Sequence, residues 1–439
     1  MINHAPNAGL SEVINPEARH YELLCGTCGT RRADDGTVLG CANHREPVLL
    51  RAVYEAKTMA ENAELSGVFR YQCWLPVVRR LDGSCLPLIF RSERLNQILG
   101  LENLWISFSG YWPERGVAFR TPSFKELEAY TALARLPGTA SIPVVASTGN
   151  SAAAFATVFS EHQAPCMIII PDRGLSRMWL RTALGPSVRL VVLDDADYSD
   201  AISVAKLVAR QPGYQLEGGV FNVARRDGLG TVMFAAVETI GDIPDYYFQA
   251  VGSGAGAIAA HEASVRLGNG EGGKLPRLMV CQNKPFTPIL NAWRRGLDYL
   301  PATSAERDKL AISKMHAHEL ANRYPPYSIQ GGVYNVLMES SGEALASDNE
   351  STRSAMKLFQ ETEGVDIEPA AGVALACLRQ AADRARISPD ATILLNVTGG
   401  GRAKLARDYS LTAVQPRLRM TGAEAHTDKG VKQIAGIFP

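Results

Sequence analysis

Five short apolar segments, set among stretches of helical periodicity, constrain this chain more than any other feature. They are IPVVAS (142–147), CMIIIPD (166–172), VRLVVLDD (188–195), YFQAVGSG (247–254) and ATILLNVTGGG (391–401). Their length and their β-branched content read as buried strands. The stretches ELEAYTALARL, SAAAFATVFSEH and AGAIAAHEASVRL read as helices, the last two starting directly after a polar or glycine-rich turn. This alternation predicts an α/β protein with helices on both faces of a sheet. In such sheets ligands bind at the carboxyl ends of the strands, where the turns lie.

With 439 residues the chain is long enough for two or three units around a large core. Lys plus Arg and Asp plus Glu both total 45, so no global field draws in nucleic acid or a membrane surface, and an anionic ligand must be caught locally. Residues 1–20 read as a loose polar arm without a secretory signal, and no apolar run approaches the roughly 18 residues of a membrane span, so a cytoplasmic location is expected. SAERDKLAISKMHAHELANRY (304–324) is predicted as one amphipathic helix and PPYSIQGG (325–332) as a turn-rich loop. The residues after about 412 have no assigned structure and are expected to be a tail.

Of the eight cysteines, Cys73, Cys85, Cys166, Cys281 and Cys377 stand singly among apolar neighbours and are expected in the core. Cys25, Cys28, Cys41 and His44 follow C-x2-C-x12-C-x2-H, four ligands suited to a closed tetrahedral zinc site. A structural zinc ribbon is the favoured reading, with a metal-free remnant as the alternative. Residues 21–50 lack the clustered lysines and aromatics of a nucleic-acid ribbon.

Three stretches far apart in sequence carry the candidate chemistry. In PSFKE, Lys125 stands where a loop meets a helix, and a lysine in a dry pocket can form a Schiff base with a carbonyl cofactor. The bland alternative is a solvated lysine at a helix start. Ser147, Thr148, Gly149, Asn150 and Ser151 form a strand-to-helix turn whose N–H groups suit a carboxylate, although an ordinary helix cap would look the same. Gly252, Ser253, Gly254, Ala255 and Gly256 lie between a strand and a helix, where small residues let N–H groups approach a phosphate. A dinucleotide is the weaker reading, because no acidic residue closes a compact βαβ unit.

Taken in order with Thr398 and Gly399–Gly401, these stretches resemble the fold type II pyridoxal-phosphate enzymes, a group that includes threonine synthase, cysteine synthase and the tryptophan synthase β subunit. Within that group the chain is most similar to the archaeal cysteate synthases of coenzyme M biosynthesis. The likeness runs from residue 20 to about 412. It is carried by FSGYWPERG (108–116), PSFKELEA (122–129), EGGVFNVARRDGLGTVM (217–233), DYYFQAVGSGAGAIAAHEASVRL (245–267) and PPYSIQGGVYN (325–335).

The resemblance implies two open twisted sheets with helices on both faces, plus the small zinc-ribbon-like module. It divides the chain into an arm at 1–20, the module at 21–50, a large cofactor-binding domain at 51–138 and 215–412, a small substrate domain at 139–214 and a tail at 413–439. Lys125 would carry pyridoxal 5'-phosphate, Asn150 would meet its phenolic oxygen, Gly252–Gly256 would cradle its phosphate, and Thr398 would face its ring nitrogen. Ser147, Thr148 and Gly149 would bind the substrate carboxylate. Arg225 and Arg226, and after them Arg115 and Arg120, are the candidates for the positive charge that an anionic substrate needs.

The implied reaction is a β-replacement that converts O-phospho-L-serine and sulfite to L-cysteate and phosphate, in a homo-oligomer without nucleic-acid or membrane partners. Glu126 stands where threonine synthases usually carry Asp, and the loop before the lysine is not their NPTGS, which favours the cysteate reading. The alternatives are threonine synthase acting on O-phosphohomoserine, and an inactive regulator or scaffold on the same fold.

Overall fold

The predicted apolar strands assemble into two sheets, as the resemblance implies. In the computed structural model, which describes residues 19–59, 64–138, 141–268 and 272–438, the larger sheet has six strands. Their spatial order is Glu343–Ser347, Arg277–Asn283, Tyr246–Ala250, Thr392–Val397, Asn103–Phe108 and Leu88–Arg91. Only the last pair is antiparallel. Parallel neighbours need crossover connections, and helix Ala255–Leu267 makes the one between Tyr246–Ala250 and Arg277–Asn283. The second sheet, all parallel, runs Tyr214–Leu216, Ile142–Ala146, Cys166–Pro171, Val188–Asp194 and Leu418–Thr421.

Helix Val223–Ile240 is buried on nearly every side along residues 223–236, because it packs against both Lys125–Arg135 and Ala255–Leu267. The crossing with the lysine helix is close enough that a Cβ on Gly228 would sit 2.6 Å from the Leu127 carbonyl oxygen. That contact fixes the depth of the lysine helix against helix Val223–Ile240.

Three expectations are corrected. The segment after residue 412 is not a tail: Leu418–Thr421 adds an edge strand to the second sheet. Val431 and Ile434, one turn apart on helix Asp428–Ala435, then cover Ala201, Val204, Ala205 and Val208. Residues 304–324 do not form one helix. Helix Ala305–Ser313 stops because the Asn283 side chain accepts the N–H groups of His316 at 3.0 Å and Ala317 at 2.9 Å, which would otherwise continue the helical ladder. The module also runs past residue 50: its three-stranded antiparallel sheet, ordered Arg31–Arg32, Tyr21–Cys25 and Leu50–Tyr54, ends at Tyr54.

The module is clamped to the body of the protein. Buried Asp34 accepts two hydrogen bonds from Arg135 at 2.9 and 2.8 Å, and the Tyr54 hydroxyl donates to Asp227 at 2.5 Å. Residues 1–18 of the expected arm lie outside the described residues. Among the described residues no helix is long and apolar enough to cross a membrane.

Candidate active site

Because Tyr246–Ala250, Thr392–Val397 and Asn103–Phe108 are parallel neighbours, the loops at their carboxyl ends share one edge. The chain before Lys125 is stitched across that edge. The Phe124 N–H donates to the Thr398 carbonyl at 2.9 Å, and the Gly400 N–H donates to Pro122 at 3.1 Å. Position 399 must be small, since a Cβ there would stand 2.8 Å from the Pro122 oxygen. Lys125 therefore opens its helix beside Thr398, which is itself buried. The buried Ser123 hydroxyl, two residues before the lysine, is unpartnered among the described residues.

The Lys125 ammonium donates to Glu128 at 3.2 Å, one helical turn further on. Glu128 is 1% exposed, and its other oxygen accepts from the Ser151 hydroxyl at 2.6 Å and from Arg225 at 2.8 Å. Arg225 also grips Glu217 through two bonds, at 2.7 and 2.5 Å. Burial pushes the Glu128 carboxyl up, but the Arg225 and Lys125 charges and the Ser151 bond outweigh it, leaving the group below the usual carboxylate range. Burial opposes the Arg225 charge, and Glu128 with Glu217 more than restores it.

On the second sheet, the turn after Ile142–Ala146 is held by the Ser147 hydroxyl, which accepts the N–H groups of Gly149 at 3.1 Å and Ala152 at 2.9 Å. Gly149 has φ 139°, a conformation that favours glycine, and the Arg177 side chain lies across it. Asn150 donates to Glu368 at 2.8 Å. The same carboxylate receives Arg177 at 2.9 Å and Arg402 at 2.8 Å. Burial would raise Glu368, yet the two arginines, with bonds from Arg402 and Asn150, hold it below its ordinary value.

Gly252–Gly256 leads from its strand into helix Ala255–Leu267. Gly254 has φ 82°, and the Ser253 hydroxyl accepts the Ala255 N–H at 3.3 Å. A Cβ on Gly252 would press on the Leu320 carbonyl at 3.1 Å, so the loop must be narrow, and it opens the first-turn N–H groups of a 13-residue helix toward an anion.

The structure thus brings Lys125, Ser147–Asn150, Gly252–Gly256, Thr398 and Arg225 to the facing edges of the two sheets. Arg226 is not with them, and its expected role is corrected. Its guanidinium bonds to the carbonyls of Leu50 and Val220 and to Glu262 at 3.0 Å, so it fastens the N-terminal module to helix Val223–Ile240. Arg115 stacks on Phe90 at 4.2 Å, and Arg120 is held by Gly83, Tyr130 and Glu161. Sequence reasoning missed Glu128, Glu217 and Glu368, and placed Ser151 in the candidate turn without giving it a role of its own. The i,i+3 spacing from Lys125 was a usable signal for Glu128; no local pattern marked Glu368.

In the module, the ligand atoms of Cys25, Cys28, Cys41 and His44 all lie within 4.8 Å of one another. The Cys28 and Cys41 sulfurs are 3.7 Å apart, close to the roughly 3.8 Å edge of a tetrahedron with about 2.3 Å zinc–sulfur bonds. The Thr30 hydroxyl pulls the Cys28 thiol down to about 5, and the buried His44 Nε2 has no hydrogen-bond partner among the described residues. The donor set fits a zinc ion.

A lysine opposite a glycine loop at the carboxyl ends of parallel strands is the layout of an enzyme that carries a phosphorylated carbonyl cofactor. The family model described as pyridoxal-phosphate dependent enzyme matches residues 87–399. The cysteate synthase of Methanoregula boonei is 44% identical over 409 residues, 92% of this chain and 95% of that protein. That of Methanosarcina acetivorans is 41% identical over 409 residues, 92% of this chain and 97% of its own. The chain belongs to the pyridoxal-phosphate dependent enzymes and, within them, to the cysteate synthase family.

Two solved structures share the fold alone. Escherichia coli diaminopropionate ammonia lyase superposes with a TM-score of 0.56 at 17% identity, covering 75% of this chain and 88% of that one. Maize serine racemase gives 0.53 at 17%, covering 73% and 91%. The residues present fit pyridoxal phosphate: an amine at Lys125, open N–H groups at Gly252–Gly256, and an unpartnered buried hydroxyl at Ser123.

Proposed function

We propose that the protein converts O-phospho-L-serine and sulfite to L-cysteate and phosphate. The observation that carries this is the 44% identity to a cysteate synthase along 92% of the chain. Lys125 would hold the cofactor, with Asn150 at its phenolic oxygen, Gly252–Gly256 at its phosphate and Thr398 at its ring nitrogen. When bound, pyridoxal phosphate supplies the electron sink that lets an amino acid lose its α-proton. The Lys125 amine takes that proton and returns it to the same carbon at the end. In between, the C–O bond breaks with its electron pair leaving on phosphate, and the sulfite sulfur lone pair forms the new C–S bond.

The N–H groups of the Ser147–Asn150 turn would hold the substrate carboxylate, while the Ser147 hydroxyl shapes the turn. Arg225 would supply the charge that meets the phosphate. Cys25, Cys28, Cys41 and His44 would hold a structural zinc ion. The working form would be a cytoplasmic homo-oligomer, in line with the family resemblance.

The test is to mix cofactor-loaded protein with O-phosphoserine, with and without sulfite, and to follow phosphate and cysteate. Phosphate release that sulfite accelerates, with cysteate as product, is expected. Turnover of O-phosphohomoserine in place of O-phosphoserine would refute the reading. Lys125→Ala should abolish both the product and the borohydride-reducible attachment of the cofactor.

A further inference from the structure

Three donors of the site converge on a residue that has no assigned role. The Lys125 ammonium at 3.2 Å, the Ser151 hydroxyl at 2.6 Å and the Arg225 guanidinium at 2.8 Å all point at the Glu128 carboxylate. With Lys125 engaged by the cofactor, the hydroxyl and the guanidinium remain, and they are donors that a phosphate would also choose. Glu128 therefore occupies an anion seat with an anion of its own.

The two carboxylates on Arg225 are not held alike. Glu217 is gripped through both oxygens by Arg225, and it also accepts from the Asn222 amide at 3.0 Å and the Gly219 N–H at 3.0 Å. Glu128 offers Arg225 a single oxygen, which it shares with Ser151. When a stronger anion arrives, Glu128 is the ligand that yields. The Tyr198 phenol, facing the cluster from helix Tyr198–Val208, and the buried Cys166 thiol on strand Cys166–Pro171 are further titratable neighbours.

We propose that Glu128 is a built-in competitor for phosphate. It holds Ser151 and Arg225 between turnovers, gives them up to the phosphate of the amino-acid phosphate ester, and retakes them to expel inorganic phosphate before the second anion enters. This rests on the phosphoserine reading. A bare Arg225 would retain the product, whereas one already balanced by a carboxylate holds it loosely.

The probe is inorganic phosphate, titrated calorimetrically into cofactor-loaded protein, so that the cofactor's own phosphate site is filled. Glu128→Gln should bind phosphate about tenfold or more tightly than the unaltered protein, the scale expected on removing a carboxylate that competes for the same guanidinium. Its steady-state turnover should fall more than its first turnover, because phosphate leaves slowly. Glu128→Asp keeps the charge but withdraws it from Arg225, and should give a smaller gain; it also serves if the Gln variant does not fold. Adding Arg225→Ala to Glu128→Gln should cancel the gain. Phosphate affinity that is unchanged or weaker in the Glu128 variants, or a gain that survives loss of Arg225, would overturn the proposal. Failure to form cysteate would instead strike the proposed reaction, since the titration uses neither sulfite nor amino acid.

Discussion

Glu126, the residue after the lysine, is 1% exposed, and its carboxylate accepts both the N–H and the hydroxyl of Thr121 through one oxygen. The other oxygen has no hydrogen-bond partner among the described residues. Burial pushes this acid from 4.5 up to about 7, with the Thr121 bonds and the Arg120 charge pulling the other way. The unfolded chain gives up the proton first, so the folded state is penalised progressively from about pH 4.5, and the penalty is complete above about pH 7. At about 1.4 kcal/mol for each pH unit between the two values, it reaches about 3 kcal/mol.

Glu126→Gln is neutral at every pH and keeps an oxygen for Thr121. In urea unfolding the variant should match the parent to within about 1 kcal/mol at pH 5 and exceed it by about 3 kcal/mol at pH 8. A difference between the two proteins that is the same at both pH values would refute the argument, since only a titrating Glu126 can make it vary.

Arg226→Met should cost about 3–5 kcal/mol in stability, because it strands the buried end of Glu262 and two carbonyls, yet leave the cofactor's visible band in place; thermal unfolding and a spectrum check both. Elemental analysis should find one zinc ion per chain, and Cys28→Ser should lose it and lower the unfolding temperature.

What the sequence revealed follows from how local each signal is. Strand segments such as CMIIIPD carry their burial in their own composition, and the turns after them followed from sheet topology. Arg225 and Arg226 were inseparable, because adjacent helical residues point about 100° apart and only the neighbours decide which one faces the site. Glu217 and Glu368 reach the site from loops whose sequence gives no sign of it. The break after Ser313 was equally hidden, since it is made by Asn283, distant in sequence and close in space. The edge strand LRMT is four residues long and half exposed, too brief for any periodicity to register.

That edge strand sets the order of events at the ribosome. Val188–Asp194 emerges long before Leu418–Thr421, the partner that covers its open side. Until then the sheet bearing the Ser147–Asn150 turn presents bare backbone donors and acceptors, a template onto which another nascent chain can pair. A polypeptide stopped short of residue 418 would keep Lys125 and the glycine loop and still be an aggregation hazard, so assembly of this site has to wait for translation to reach its far edge.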